Sequence, residues 1–232
     1  MTFSLTRRVA AEALGAALLV ATVVGSGVMG ERLAGGNLAL ALLGNALATG
    51  AILVVLILAL GPISGAHFNP VVSLVMSLQK ERPPGEFIPY ALAQIVGGCV
   101  GTLVAHGMFE LPLLELGLNA RTGPAQWFAE FVATFGLIVV ILAVSRFKGE
   151  AIPVAVGLYI TAAYWFTAST SFANPAVTIA RALTRSFSGI APDDVPMFVV
   201  SQCAGALAGL ALMRWFFSAA KVPEPVATPG RA

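Results

Sequence analysis

Two stretches decide the fold, HFNPVVSLV at residues 67–75 and FANPAVTIA at residues 172–180. The second lies in a run from Ala151 to Ala180 that holds no charged side chain and is closed by Arg181. Proline is favoured at the first position of a helix, because its missing N–H would be unpaired there anyway. Asparagine directly before it is a good N-cap. Asn69-Pro70 and Asn174-Pro175 therefore each read as the start of a short helix inside a hydrophobic segment.

The surrounding chain is equally apolar. Of its 232 residues 58% are hydrophobic and 10% are charged, against about 25% charged in a soluble domain. That balance describes an integral membrane protein with little mass left for a soluble domain. A formal charge of +2 is too small to suggest nucleic acid binding. Cys99 and Cys203 sit in apolar runs, where a free thiol behaves as a small hydrophobe.

A helix needs about 20 apolar residues to cross a bilayer core. The first span, Val9 to Gly30, follows Arg7 and Arg8 as a signal peptide would. Glu12 within it, and a length beyond the ~7–15 residues of a signal core, point to a retained helix. From Leu33 to Gln79 the only ionisable group is His67, and GPISGAHFNP (61–70) breaks the stretch. We divide it into a helix from about Asn37 to Leu60, a non-helical turn, and a short helix from Pro70 to Gln79. KERPPGE (80–86) precedes a third span, Phe87 to Phe109, and a long loop occupies 110–125. Further spans cover Gln126–Ser145, Ala151 to about Thr167, and Met197–Phe217. A second short helix runs from Pro175 to near Ser186, and 219–232 read as a flexible cytoplasmic tail. With alternating sides, nine basic residues (Arg7, Arg8, Lys80, Arg82, Arg146, Lys148, Arg214, Lys221, Arg231) share the face of both termini. Four (Arg32, Arg121, Arg181, Arg185) fall opposite. Positive residues favour the cytoplasmic side, so both termini are expected there.

The chain repeats internally. AEALGAALLVATVVGSG (11–27) matches AEFVATFGLIVVILAVS (129–145), the two Asn-Pro stretches match each other, and QIVGGCVG (94–101) matches QCAGALAG (202–209). The offsets are 118, 105 and 108 residues in the same order. Residues 1–232 then form a single domain of two half repeats, 8–109 and 126–218. Each holds three spans, an odd number, so the second half is inverted in the membrane. Interrupted helices in such inverted 3+3 repeats mark a site at the bilayer midplane.

Each short helix presents its positive dipole end at its asparagine. Inverted symmetry brings the two ends together from opposite faces. The approaches GPISGAH and TASTSFA then expose carbonyls, which is tolerated at that depth only along a wet cavity or inside protein. A pore results, with asparagine amides at its centre and paired positive ends that repel cations.

SGAHFNP, a second NPA, six spans and a Glu in spans one and four resemble the aquaporin/major intrinsic protein family, over about residues 8–218. The resemblance implies an all-α membrane protein of six transmembrane helices plus two re-entrant half-helices, usually a homotetramer with one pore per subunit. It places Asn69, Pro70, Val71, Asn174, Pro175 and Ala176 at the pore centre, with Val71 standing where the family has alanine. Gly65, Ala66, His67, Phe172 and Ala173 would line the pore. It also implies that Glu12 and Glu130 brace the re-entrant loops. From the residues alone, two carboxylates inside the membrane are costly and equally suit a proton- or ion-coupled transporter. Ser64 and His67 could suggest an intramembrane serine protease, a hydrolase, but they lie three residues apart in one loop without a strand-turn-helix elbow. His106 reads as an interfacial residue. Gly97, Gly101, Gly205 and Gly209 allow close helix approach.

Members of the family narrow the pore at four positions. Counted from the motifs, these are Thr49, Ser171, Val177 and, on span five, either Ala162 by counting or Tyr164 by alignment from Gly157. Most members have an aromatic ring where Thr49 stands and arginine where Val177 stands. Two bulky groups are thus replaced by small ones, and the expected constriction is wide. Asn174, Val177 and Arg181 share a helix face, so Arg181 is expected one turn nearer the outer mouth, either facing the pore or contacting the adjoining loop. The expected function is a passive, cofactor-free channel in the bacterial inner membrane. It would pass small uncharged solutes, namely glycerol, urea, arsenite and its methylated relatives, and some water. Such a combination resembles the aquaglyceroporins found with rhizobial arsenic-resistance genes.

Overall fold

The computed structural model describes residues 3–218; the expected tail, 219–232, lies outside the described residues. Eight α-helices follow in order: α1 (Leu5–Leu33), α2 (Leu38–Ser64), α3 (Pro70–Leu78), α4 (Phe87–Met108), α5 (Pro124–Phe147), α6 (Ile152–Phe166), α7 (Pro175–Arg181) and α8 (Val195–Phe217). Five of them, α1, α2, α4, α5 and α8, are long and apolar enough to cross a membrane on their own. α6 is the shorter sixth span at 15 residues, and α3 and α7 are the re-entrant half-helices. The chain is thus an all-α, multi-pass membrane protein.

Packing repeats between the halves. α1 pairs with α4 as α5 pairs with α8, and α2 meets α6 along the seam between them. The close pairs depend on glycine. A Cβ on Gly97 would lie 2.2 Å from the carbonyl oxygen of Ala13, and one on Gly205 2.3 Å from that of Phe131. Backbones can approach this closely only where no side chain intervenes.

Two faces are tied by polar contacts. On the face that carries both ends of the described chain, Arg8 pairs with Glu86 at 2.5 Å and Arg214 donates to Gln79. On the opposite face Asn119 donates to the carbonyl of Ser186, Gly117 N–H to that of Ala182, and Arg121 to those of Gly189 and Ser169. Burial lowers the affinity of the Arg121 guanidinium for its proton, and Glu130 and Tyr164 act in the other direction. His106 belongs to this second network rather than to the interface expected from sequence. It is fully buried, with Nδ1 2.7 Å from the carbonyl of Pro112 and Nε2 2.8 Å from Thr184 Oγ1, so it staples two loops together.

Two helix ends that border the re-entrant segments differ from the sequence expectation. α2 continues through Pro62 to Ser64 instead of stopping at Leu60, and Gly65 caps it in the left-handed region at φ 94°. The carbonyl of Ser64 accepts from Tyr90 and Arg82, and Ser64 Oγ accepts from Ala66 N–H. The last turn is thus held by side-chain partners around the proline. α7 stops at Arg181 rather than near Ser186. The carbonyls of Arg181 and of the C-cap Ala182 are taken by the Ile190 and Gly117 N–H groups of neighbouring loops, which replaces further helical bonds.

Candidate functional site

Asn69 and Asn174 cap the two half-helices. Asn69 Oδ1 accepts from Val71 N–H, and Asn174 Oδ1 from Ala176 and Val177 N–H. Their amide nitrogens reach across to the opposite half. Asn69 Nδ2 donates to the carbonyl of Ala173 at 2.8 Å, and Asn174 Nδ2 to that of Phe68 at 2.9 Å. An amide NH2 carries two donors, so each asparagine keeps one N–H for the lumen. The two positive helix ends meet there.

The loops entering these caps are strained in the same pattern. Ala66 and Phe68 have φ of 51° and 48°, and Ser171 and Ala173, their counterparts, 50° and 48°. Left-handed non-glycine residues cost about 1–3 kcal/mol each and persist only where the surroundings enforce them. The enforcing groups are the buried carboxylates. Glu12 accepts from Ser64 Oγ, His67 N–H, Phe68 N–H and Gln94 Nε2. Glu130 accepts from Phe172 N–H, Ala173 N–H and Gln202 Nε2. Gln94 also donates to Ser73 and Gln202 to Thr178, which ties each half-helix to the same brace.

Gln94 and Gln202 were not among the site residues expected from sequence. The signal was present, since both stand in the repeated Q-x-x-G-x-x-x-G, but only its glycines drew a role. Neither carboxylate lines the lumen, and both are fully buried. Each is occupied by donors from its own re-entrant loop and from one neighbouring helix, the arrangement of a loop brace. The hydrolase reading fails, because Ser64 Oγ donates to Glu12 while His67 Nδ1 pairs with Ser73 at 3.0 Å.

A cavity of about 350 Å³ runs from Glu81 and Arg82 past both asparagines to Tyr164 and Arg181. One wall is apolar, formed by Val23, Leu53, Leu137, Ile141, Val156 and Ile160. The other is the loop ridge of Gly65, Ala66, His67 and Phe68 with Ser171, Phe172 and Ala173. No backbone N–H donates to the carbonyls of Gly65, Ala66, His67, Thr170, Ser171 or Phe172 among the described residues. Carbonyls at this depth need a partner, and for Gly65, Ala66, His67, Ser171 and Phe172, which line the cavity, the lumen can supply it.

Thr49, Tyr164, Ser171 and Val177 all line this cavity, and Thr49 Oγ1 lies 3.3 Å from Tyr164 Oη. Ala162 does not; it is exposed on the outer surface of α6. Two residues of helix amount to a rotation of about 200°, so Ala162 and Tyr164 cannot face the same way. Pro70, Val71, Pro175 and Ala176 are buried but stand outside the lining, and Val72 lines it instead of Val71. The Val71 departure therefore adds bulk to the core, not to the lumen. Arg181 is not at an open mouth. It is 1% exposed, its Nε donates to the carbonyl of Ser188, and its guanidinium carbon lies 3.4 Å from the centre of the Phe172 ring.

Half-helices meeting N-terminus to N-terminus at a cavity lined by both asparagines define a membrane channel for small solutes, not an enzyme. The chain belongs to the major intrinsic protein family, whose model matches residues 1–150 and 144–229. It is 58% identical over 219 residues to the aquaglyceroporin AqpS of Rhizobium meliloti (strain 1021), covering 94% of each chain. Similarity extends to the aquaporin NIP3-1 of Arabidopsis thaliana, at 32% identity over 72% of this chain and 54% of that protein. Its fold matches the X-ray structure of the aquaglyceroporin from Plasmodium falciparum with a TM-score of 0.72, covering 92% and 96% of the two chains at 22% identity.

Proposed function

We propose that this passive channel admits solutes wider than water, namely glycerol, urea-like solutes and neutral metalloid hydroxides such as arsenite. Partly methylated arsenicals, which carry an apolar face, belong to the same class, and some water accompanies them. The observation that carries the reading is Val177, an apolar side chain in the lumen wall three residues after Asn174. With Thr49 facing the same cavity, two of the four filter positions hold small side chains. A lumen with one apolar wall and one carbonyl ridge suits molecules that present both C–H and O–H surfaces. The 58% identity to a protein named an aquaglyceroporin supports the same reading. That relative also supports a bacterial inner membrane location. The bias of basic residues supports cytoplasmic termini, and the family habit supports a homotetramer without a cofactor.

Stopped-flow shrinkage and swelling of proteoliposomes tests the proposal with a panel of water, glycerol, urea and arsenite. Wild type is expected to pass all four, and Val177→Arg to keep water while losing the larger solutes. Water flux without glycerol or arsenite flux in the wild type refutes it.

A further inference from the structure

Position 177 carries no charge, yet the outer half of the lumen does hold a guanidinium. Side chains on a helix lean toward its N-terminus, and the N-terminus of α7 lies at the centre of the channel. Arg181 therefore extends back along its helix, toward the level of Ser171 and Val177, rather than outward. Its contact with Phe172 fixes the depth, because Phe172 is the chain neighbour of Ser171 and lines the same cavity.

The guanidinium is held but hardly satisfied. Of its five N–H donors, only Nε–H is used, by the Ser188 carbonyl. Nη1 is buried and has no partner in the described protein. Arg181 makes no ion pair, since the one salt bridge among the described residues joins Arg8 to Glu86. The nearest brace carboxylate, Glu130, is already bonded to Phe172, Ala173 and Gln202. Ser171 Oγ, also in the lining, is a second buried polar atom without a partner. Arg121 approaches the same aromatic ring at 4.9 Å but does not line the lumen, so it adds positive potential from behind.

We infer that Arg181 is the specificity-determining guanidinium of this channel and that Phe172 is the residue that positions it. Together they give the outer lumen a fixed cation with unspent donors while leaving position 177 open. The ligand class is the hydroxyl or carbonyl oxygen of an uncharged solute, which accepts from Arg181 and Ser171. The excluded class is cations, including hydronium, which meet a guanidinium that no carboxylate pairs with directly. This rests on the channel reading above, and it requires that the widened filter stay closed to ions.

The test uses the full chain in proteoliposomes loaded with a pH-sensitive dye, with a potassium diffusion potential driving protons and glycerol swelling measured in parallel. Arg181→Gln retains a donor for Ser188 and removes the charge. It is expected to raise proton flux by about tenfold or more over wild type, as loss of a nearby unscreened charge allows. Val177→Arg/Arg181→Gln, which moves the guanidinium one turn inward, is expected to return proton flux to the wild-type level while cutting glycerol flux. If Arg181→Gln passes glycerol with no added proton flux, Arg181 is only a loop anchor and the inference is overturned. Should that variant fail to insert, Phe172→Leu decides, since it keeps the Ser188 contact: a raised leak supports the inference, an unchanged leak overturns it. Absence of glycerol flux in the wild type sinks the channel reading instead, whatever the leak.

Discussion

Thr49 Oγ1 and Tyr164 Oη lie 3.3 Å apart, joining α2 to α6 in the wall of the lumen. The tyrosine hydroxyl thus has a partner within the wall. Tyr164→Phe should remove one neutral hydrogen bond, about 1 kcal/mol, and lower the thermal midpoint slightly without changing which solutes pass. Tyr164→Ala should admit bulkier polyols in a swelling assay. Ala162→Phe should alter neither, because Ala162 faces away from the lumen. A block by Ala162→Phe with no effect of Tyr164→Ala would reverse this assignment.

Thr49→Phe should narrow the same constriction from α2. Arsenite and glycerol uptake are expected to fall while osmotic water flux persists. Equal loss of all three would mean that the ring plugs the channel or displaces α6, and circular dichroism with thermal melting separates those cases.

Glu130→Gln should cost several kcal/mol. Its Oε2 accepts from both Ala173 N–H and Gln202 Nε2, and a carboxamide NH2 there would face two donors. Each lost bond to a charged acceptor is worth about 1.5–3 kcal/mol. The loop through Ser171–Ala173 then relaxes from its left-handed positions, so thermal stability and solute flux fall together. Glu12→Gln should behave alike, through His67 and Phe68. In neither variant, nor in wild type, should a transmembrane pH gradient drive solute accumulation; if it did, the carboxylates would be titrating in transport.

Gly97→Ala and Gly205→Ala each set a methyl against a backbone carbonyl, at 2.2 Å from Ala13 and 2.3 Å from Phe131. The helices must separate, and overpacking of this kind costs about 1–3 kcal/mol. Fluorescence-detected size exclusion after heating should show both variants losing their folded peak below the wild-type midpoint. Gly107→Ala, which meets nothing within 4 Å, serves as the control and should melt with the wild type.

Sequence alone determined the architecture. Rare polar residues in a hydrophobic chain must be placed where the backbone is interrupted or a carboxylate is bonded. Asn69-Pro70 with Asn174-Pro175 therefore marked the two half-helices, while Glu12 and Glu130 stood out as buried carboxylates whose partners the sequence did not name. Short-range counting also served Val177, which is too close to Asn174 for the register to slip. Tertiary structure decided whatever depended on rotation about a helix or on distant partners. Tyr164 rather than Ala162 meets Thr49 because two residues turn a helix through more than half a revolution. Gln94 and Gln202 reach the carboxylates across a helix pair, and His106 finds its acceptors in a loop. Arg181 shared a face with Val177 in the sequence, but its side-chain direction and its seat on Phe172 exist only once α7 ends where neighbouring loops cap it. Position along a helix is a local property of the chain, whereas the direction and satisfaction of a long polar side chain are set by what folds against it.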